Sequence, residues 1–298
     1  MSISLIHTFD DDEFKLESGF MLSSTDEKTK NAITNLELKH ICKNVYHTSH
    51  YCGVAKLCLK NDDEEKDAVL IVSPRFGITW GNVKTMLDCI SDSEEYDAFS
   101  KSKDWKEYFS PDIDTVKKCV NSIIGDNNEE SVDEQNITEF AFDIAKLYEF
   151  YCRAEIKRAE IKKALPPEWE LAPYEEKKSV FAEEAQNKKL YLGGSLIPDI
   201  ILTNGSDKTV ILDVKFKDGS SGQSHREDRL QILAYQYMYN APVIGHILPN
   251  CSNTSTEIKS PLNNKICDYV QLRLFPNTMK EEEFISNLKK VLEQAIEG

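Results

Sequence analysis

The sequence lacks several features that define common classes of protein. No apolar run is long enough to span a membrane, and the first residues have neither a basic start nor a long apolar stretch, so we expect no membrane segment and no signal peptide. The eight cysteines form no Cys-x-x-Cys pair, which argues against a zinc ribbon and is typical of reduced thiols in a cytoplasmic protein. Neither an internal repeat nor a glycine-rich phosphate loop is present, so we predict no nucleotide site.

Basic residues are also fewer than acidic ones, and this difference is unevenly distributed along the chain. The chain carries 36 lysines and arginines against 51 acidic residues, a net charge of −15. Residues 1–150 hold 30 acidic and 16 basic residues, whereas residues 151–298 hold 21 and 20. The acidity therefore belongs to the first half, and the nearly neutral second half remains compatible with DNA binding, although no broad basic surface is visible. A partner protein could supply much of the DNA affinity.

The first part of the chain changes from a strand pattern to a helical one. Residues 1–80 are predicted to be β-rich because residues 44–59 and 68–76 carry many β-branched and aromatic side chains. Apolar residues then recur at helical spacing up to residue 124, at Val83, Met86, Leu87, Ile90, Val116, Val120 and Ile123. The acidic, polar run 126–137 is the best linker candidate. His40, His47 and His50 lack i, i+4 helical spacing, so hydrogen-bonding or solvated roles are favoured over a metal site.

A long helix is predicted from about residue 138 to residue 164. One apolar stripe contains Phe140, Ile144, Leu147, Tyr148 and Tyr151, and a second contains Phe142, Ala145, Cys152 and Ile156. Glu149 falls inside the second stripe, where an acid is either a half-buried surface residue or a buried metal ligand. The basic run 153–163 either follows a phosphate backbone or forms a solvated helix end that suits the helix dipole.

The most informative stretch is residues 197–235. Asp199 opens one predicted strand, and Asp213 and Lys215 lie on the next, which a turn at 204–207 joins to it as a hairpin. Residues two apart on a strand share a face, so Asp213 and Lys215 point the same way. Two carboxylates beside a lysine fit a site for hydrolysis assisted by a divalent metal.

The remaining elements alternate between helix and strand. A helix is predicted over residues 226–239, with Asp228, Gln231 and Tyr235 on one face and a core face formed by Leu230, Leu233, Ala234, Tyr237 and Met238. Strands follow at 242–248 and 268–275, and an amphipathic helix is predicted over 281–296. The order helix, strand, strand, helix, strand therefore places the acidic cluster within an α/β domain.

This order and its motifs resemble the PD-(D/E)XK nuclease superfamily. The matching residues are Glu149, the Pro-Asp at Asp199, the Asp-x-Lys at Asp213 and Lys215, and a Gln-x-x-x-Tyr pair typical of the RecB-like branch, formed by Gln231 and Tyr235. Residues 51–57, 69–76, 147–151, 197–202, 211–217 and 231–235 are further similar to the McrC family. Coverage of this resemblance is dense from residue 140 to residue 240 and thin before residue 53.

The resemblance implies an α/β fold. A C-terminal restriction-endonuclease-like PD-(D/E)XK domain (138–298), with a mixed central sheet flanked by helices, would follow a β-rich α+β N-terminal domain (1–125) and the linker (126–137). It also implies the endonuclease subunit of a McrBC-like type IV restriction system, which depends on modified DNA. The N-terminal domain would bind and activate a McrB-like AAA+ GTPase hexamer, and the C-terminal domain would cut DNA.

The resemblance also assigns roles at the site. Asp199, Asp213 and the Val214 carbonyl would ligate Mg²⁺, with Mn²⁺ as the alternative ion, and Glu149 would ligate it directly or through water. Lys215 would orient or activate the attacking water. Gln231 and Tyr235, on the predicted helix 226–239, would hold the site or the substrate phosphate. Two other interpretations stay open: a RecB-like exonuclease or nuclease of another anti-phage defence system, and a non-catalytic adaptor that only stimulates a AAA+ motor.

Overall fold

The computed structural model describes most of the second half of the chain and part of the first. The described residues are 3–8, 13–14, 16–17, 21–22, 51–60, 65–72, 74, 76–101, 109–110, 113–124, 140–174, 178–179, 195–205, 208–217, 219, 226–260 and 263–297. The chain divides into two compact units, 1–91 with 100–147, and 92–99 with 148–298. The three histidines at 40, 47 and 50 and the predicted linker 126–137 lie outside the described residues, so their interpretation and the domain boundaries stay predictions.

The first unit is built on an antiparallel sheet, as its β-rich sequence predicts. The strands of this unit are β1 Ile3–Thr8, β2 Glu13–Phe14, β3 Leu16–Glu17, β4 Met21–Leu22, β5 Tyr51–Lys60, β6 Glu65–Val72, β7 Phe109–Ser110 and β8 Phe140–Asp143. Six of them form one sheet in the order β2-β1-β6-β5-β8-β7, and β3 pairs with β4. The long hairpin of β5 and β6 lies at the centre of the six-stranded sheet.

Helices of the described residues between the hairpin and β8 follow the predicted periodicity. They are α1 Trp80–Ser91, α2 Tyr96–Lys101 and α3 Ile113–Ile124. The predicted apolar positions of α1 are buried, as are Val116 and Val120 of α3. Lys117 of α3 lies 2.8 Å from Asp88 of α1, which joins the two helices at their surface. The helical prediction for this region is therefore confirmed.

The predicted start of the next helix at residue 138 is wrong. Residues 140–143 form strand β8, which pairs with β5, and helix α4 runs only over Ile144–Ile161. The helix begins there because Asp143 accepts hydrogen bonds from the amides of Ala145 (2.8 Å) and Lys146 (3.3 Å), as an N-cap does. The apolar residues of β8 continue the helical spacing by coincidence, which explains the error.

The second unit contains a mixed sheet with helices, which confirms the α/β class with a mixed sheet flanked by helices. The strands of this unit are β9 Trp169–Leu171, β10 Lys178–Ser179, β11 Ser195–Leu196, β12 Ile200–Asn204, β13 Thr209–Val214, β14 Val243–Leu248, β15 Thr254–Lys259 and β16 Ile266–Arg273. Six of these form a sheet in the order β15-β16-β14-β13-β12-β9. The predicted hairpin of β12 and β13 is confirmed, and β13, β14 and β16 are parallel.

Two further helices follow β13 and β16. They are α5 Arg226–Tyr239 and α6 Thr278–Glu297. The predicted core face of α5 is only partly right. Leu233 and Met238 are partly buried and pack against the core, but the buried residues are Asp228, Ile232, Tyr235, Gln236 and Tyr239, and Leu230 and Tyr237 are 57% and 58% exposed. The packed face combines the core residues Ile232, Tyr235 and Tyr239 with Asp228, which contacts Lys217 after the end of β13.

Candidate active site

The two predicted aspartates meet where β12 begins and β13 ends. Ile200 pairs with Leu212 in the antiparallel register, which sets Asp199 opposite Asp213. The Val214 amide donates a 2.7 Å hydrogen bond to Asp199 Oδ2 and fixes that carboxylate against β13. Asp213 is fully buried, whereas Asp199 is half-buried. The hairpin thus brings both carboxylates to one place.

The Asp213 carboxylate is in an unfavourable environment for a negative charge. Burial and the neighbouring Asp199 charge raise the pKa of Asp213 well above its usual range, and Lys215 only partly opposes them. Lys215 Nζ lies 2.6 Å from Asp213 Oδ2 as an ion pair. Neither oxygen of this carboxylate accepts a well-aligned hydrogen bond from any described residue. A buried carboxylate left in this state has lone pairs available to a further cation.

Lys215 is held by the helix that follows it. Its Nζ donates a 3.0 Å hydrogen bond to Gln231 Oε1. Gln231 Nε2 in turn donates to the Tyr235 hydroxyl at 2.8 Å, and that hydroxyl donates to the Ile197 carbonyl at 3.0 Å. The predicted Gln-x-x-x-Tyr pair therefore links Lys215 to the backbone two residues before Asp199. Although burial acts to lower the pKa of Lys215, the nearby carboxylates raise it, so the ammonium stays charged.

A second lysine and aspartate pair lies beside the first. Lys217 Nζ contacts both carboxylate oxygens of Asp228, at 2.9 and 2.8 Å. Asp228 is buried near the start of α5, and although burial acts to raise its pKa, Lys217 lowers it below its usual range. This pair holds the first turn of the helix against the segment that follows β13.

Arg153, the first residue of the predicted basic run, is buried and contacts two backbone carbonyl groups. It is 2% exposed and pairs with Glu95, the Nη2 to Oε1 distance being 2.8 Å. It also donates to the backbone carbonyl of Asp199 at 2.9 Å and to that of Ala172 at 2.8 Å. Arg153 therefore fits neither of the two roles predicted for the basic run, contact with a phosphate backbone or a solvated helix end. Sequence reasoning missed that Arg153 supports the Asp199 turn, because the contact spans 46 residues of the chain.

Glu149 stands out within α4. From residue 147 to residue 156 every residue is buried except Glu149, which is half-buried. Burial raises the pKa of the Cys152 thiol, and the charges of Asp199 and Glu149 raise it further, so both acids lie near that thiol. Within the part of the chain that the structure describes, no three His, Cys, Asp or Glu side chains form a ready-made metal cluster. A ligand role for Glu149 therefore stays a prediction.

His246 is the main site residue that the sequence analysis missed. It pairs in register with Asp213 on the adjacent parallel strand, and its Nε2 lies 3.8 Å from Asp213 Oδ2. Its Nδ1 is 2.8 Å from the Tyr269 hydroxyl. Burial, followed by the Lys215 charge, lowers the pKa of His246 to about 4, so the ring is neutral near pH 7. The available signal was a lone imidazole within the otherwise apolar strand β14.

The donor set fits a hard divalent cation. The paired carboxylates of Asp199 and Asp213, one with free buried lone pairs, supply the oxygen ligands that Mg²⁺ and Mn²⁺ prefer. A cation between them would offset both the burial of the Asp213 charge and its repulsion from Asp199, the two causes that raise the pKa of Asp213. The Val214 carbonyl follows directly in the chain and stays a predicted ligand. The chemistry of these residues thus agrees with the metal that the sequence motif implies.

No described helix of the chain combines the length and apolarity needed to cross a membrane.

A comparison with curated proteins gave no match. Among solved structures, the chain is similar to one in the refined half-complex from a tetradecameric assembly of Thermococcus gammatolerans McrB AAA+ hexamers with bound McrC, with a TM-score of 0.39 and 12% identity. That match covers 85% of this chain and 66% of the other, a little under two thirds.

A family model gives the decisive comparison. The model described as McrBC 5-methylcytosine restriction system component matches residues 80–248, which is more than half of the chain and contains every predicted site residue and His246, but not Tyr269, the partner of His246. The resemblance to the McrC family is thereby confirmed, and the chain belongs to the family of McrBC 5-methylcytosine restriction system components.

Proposed function

We propose that this chain is the DNA-cutting subunit of a McrBC-type restriction system and hydrolyses phosphodiester bonds with Mg²⁺ in a PD-(D/E)XK nuclease site. One observation carries the proposal: Asp199, Asp213 and Lys215 meet at the ends of paired strands, with a buried carboxylate that has lone pairs to spare. Membership of the McrBC family supports the biological setting. The aligned Gln231 and Tyr235 support the RecB-like branch of the superfamily.

The metal would be held by the carboxylates of Asp199 and Asp213, with the Val214 carbonyl and Glu149 as further ligands. When bound, a divalent cation supplies Lewis acidity that stabilises negative charge on the phosphoryl oxygens and lowers the pKa of a coordinated water. Mn²⁺ is the expected substitute because it accepts the same oxygen ligands. In this arrangement the burial of Asp213 and the repulsion from Asp199, which together raise the pKa of Asp213, are the features that favour cation binding.

The residues around the metal would orient the reaction. Lys215 Nζ, charged and held by Gln231, would donate a hydrogen bond to the attacking water or to the phosphate and fix its position. The water oxygen would form a bond to phosphorus and release one proton to solvent as the bond to one ester oxygen breaks, and the leaving oxygen would take up a proton from solvent. Tyr235 would keep Gln231 and the Ile197 backbone in place and would not contact the reacting atoms.

The first unit would serve the partner. The first 150 residues carry 30 acidic and 16 basic residues, a balance that suits a protein surface better than DNA. We infer that this part binds a McrB-like AAA+ GTPase hexamer and stimulates its nucleotide hydrolysis, and that the second unit receives the DNA that the partner delivers. Weak DNA binding by the isolated chain would agree with the nearly neutral second half.

The test uses closed circular DNA, methylated or unmethylated, with Mg²⁺ and with or without the AAA+ partner and GTP. The proposal predicts cutting of the methylated circle only in the complete mixture. A requirement for free DNA ends would instead indicate an exonuclease. Stimulation of the partner without any cutting, under conditions in which the partner hydrolyses GTP, would indicate an adaptor and contradict the proposal.

A further inference from the structure

Four polar side chains form a line across three neighbouring parallel strands. Gln271 and Tyr269 lie on β16, His246 lies on β14 between them and the site, and Asp213 lies on β13. Gln271 Nε2 is 3.3 Å from the Tyr269 hydroxyl, and that hydroxyl is 2.8 Å from His246 Nδ1. The line ends at Asp213, whose Oδ2 is 3.8 Å from His246 Nε2.

The hydrogen bonds along this line can all run from Gln271 toward Asp213. An amide Nε2 can only donate, so Tyr269 accepts from Gln271 with its oxygen. The hydroxyl hydrogen of Tyr269 is then available for His246 Nδ1. A neutral imidazole that accepts at Nδ1 carries its proton on Nε2. With the Tyr269 hydroxyl as the donor to Nδ1, the ring presents an N–H group to Asp213.

Both ends of the last step lack a well-aligned hydrogen bond. His246 Nε2 and the two Asp213 oxygens are buried, and no described residue provides any of them with such a partner, although Lys215 Nζ lies 2.6 Å from Asp213 Oδ2 as an ion pair. Their separation of 3.8 Å is slightly beyond hydrogen-bonding range, so a small side-chain rotation would join them. Burial also lowers the pKa of His246 to about 4, in agreement with a neutral ring.

We propose that His246 is the positioning residue for Asp213, a neutral imidazole whose Nε2–H donates to the carboxylate and directs the remaining lone pairs toward the bound cation. This inference rests on the proposed function, since it assigns a support to one of the proposed metal ligands. It differs from a ligand role for His246, which would need a bare Nε2 and a proton on Nδ1. Hydrogen-bonded neighbours of this kind typically change metal affinity by about 10–100-fold.

The tautomer is the first test and needs no activity. In metal-free protein labelled with ¹⁵N-histidine at pH 7.5, the His246 resonance is identified by its loss in His246→Gln. We expect the Nε2–H tautomer in the wild type and a mixture of both tautomers in Tyr269→Phe, which removes the hydroxyl that fixes the ring. A dominant Nδ1–H tautomer in the wild type would overturn the inference.

The second test measures Mn²⁺ binding by calorimetry. We expect His246→Leu to weaken binding by about 10-fold or more and His246→Gln, whose amide reaches the Nε2 position, to restore most of it. If His246→Leu does not fold, Tyr269→Phe decides, and an unchanged affinity there counts against the inference. Asp213→Asn tests the proposed metal site independently of the role of His246. Wild-type binding by His246→Leu beside loss in Asp213→Asn overturns only the role of His246, whereas wild-type binding by Asp213→Asn overturns the proposed metal site.

Discussion

A single carboxylate, Asp228, joins the chain after β13 to the first turn of α5. It is buried and contacts Lys217 Nζ with both oxygens, at 2.9 and 2.8 Å. We expect Asp228→Asn to lower the free energy of unfolding at pH 7 by about 1 kcal/mol, a modest value because Lys217 keeps contact with solvent. Chemical denaturation across a pH series provides the measurement.

The pH dependence of this effect has a defined sign. Lys217 lowers the pKa of Asp228 in the folded state, so the stabilisation is complete above the unfolded pKa of about 3.9 and is lost as the pH falls through the lower folded value. The difference between wild type and Asp228→Asn should stay constant from pH 7 to about pH 5 and close below about pH 4. Glu257→Gln, at an exposed position on β15, is the control. A difference that grows on acidification would contradict the account.

The site residues that the sequence predicted are those that follow each other in local motifs. Asp213 lies on β13 and Lys215 just after its end, which comes earlier than the predicted end of that strand, and Gln231 and Tyr235 lie one helical turn apart, so alternation and helical spacing sufficed to group them. Arg153 and His246 could not be found in this way. They act on Asp199 and Asp213 only through the fold, from a helix 46 residues away and from a neighbouring parallel strand.

At the scale of elements, β14 and β16 approach each other closely at one glycine. A Cβ added at Gly245 would lie 2.2 Å from the Val270 carbonyl oxygen, so the parallel strands would have to separate there. We expect Gly245→Ala to destabilise the protein by about 3 kcal/mol. Gly205→Ala is the matched control, because a Cβ there meets no atom within 4 Å. Equal midpoints of thermal unfolding for the two variants would show that β14 and β16 tolerate the extra atom.

An ion pair joins Glu95, in the segment 92–99, to Arg153 of α4. Glu95 neutralises the buried Arg153, whose guanidinium also supports the carbonyls of Asp199 and Ala172. Glu95→Gln leaves that charge uncompensated, so we expect a loss of about 3 kcal/mol in the free energy of unfolding.

The double variant Glu95→Gln with Arg153→Met should recover part of this loss, because it removes the unpaired charge. Glu293→Gln, which breaks the exposed pair with Lys289, is the control and should change stability by about 0.5 kcal/mol at most. A Glu95→Gln variant as stable as this control would mean that the buried pair contributes little.

Whether a segment forms a helix or a strand was predictable where its hydrophobic periodicity is strong. Which face of a helix packs on the sheet was not predictable in this way. The helices α1, α3 and α6 and the strands around the site follow the predicted patterns. For α5, apolar spacing misplaced the centre of the core face, because the side that packs on the sheet also carries polar residues that contact Lys215 and Lys217. Such contacts join residues up to 16 positions apart and leave no trace in local hydrophobic periodicity.

For the molecule as a whole, the uneven charge and the division into two units suggest a division of labour. The acidic first 150 residues would face the partner, and the second unit, which contains the Asp199 and Asp213 pair, would act on DNA. The fold class was predictable because strand and helix patterns alternate along the chain. The pairing of β1 and β8 with the central hairpin was not, since these contacts join distant segments.

The measurement that tests the account most directly is the rate of cutting by Lys215→Ala on methylated closed circular DNA, with Mg²⁺, the AAA+ partner and GTP. Lys208→Ala, before the other end of β13, is the control and should cut at the wild-type rate. The account predicts a loss of about 10³-fold or more for Lys215→Ala, with stimulation of the partner's GTP hydrolysis retained. Cutting by purified Lys215→Ala at the wild-type rate would contradict it.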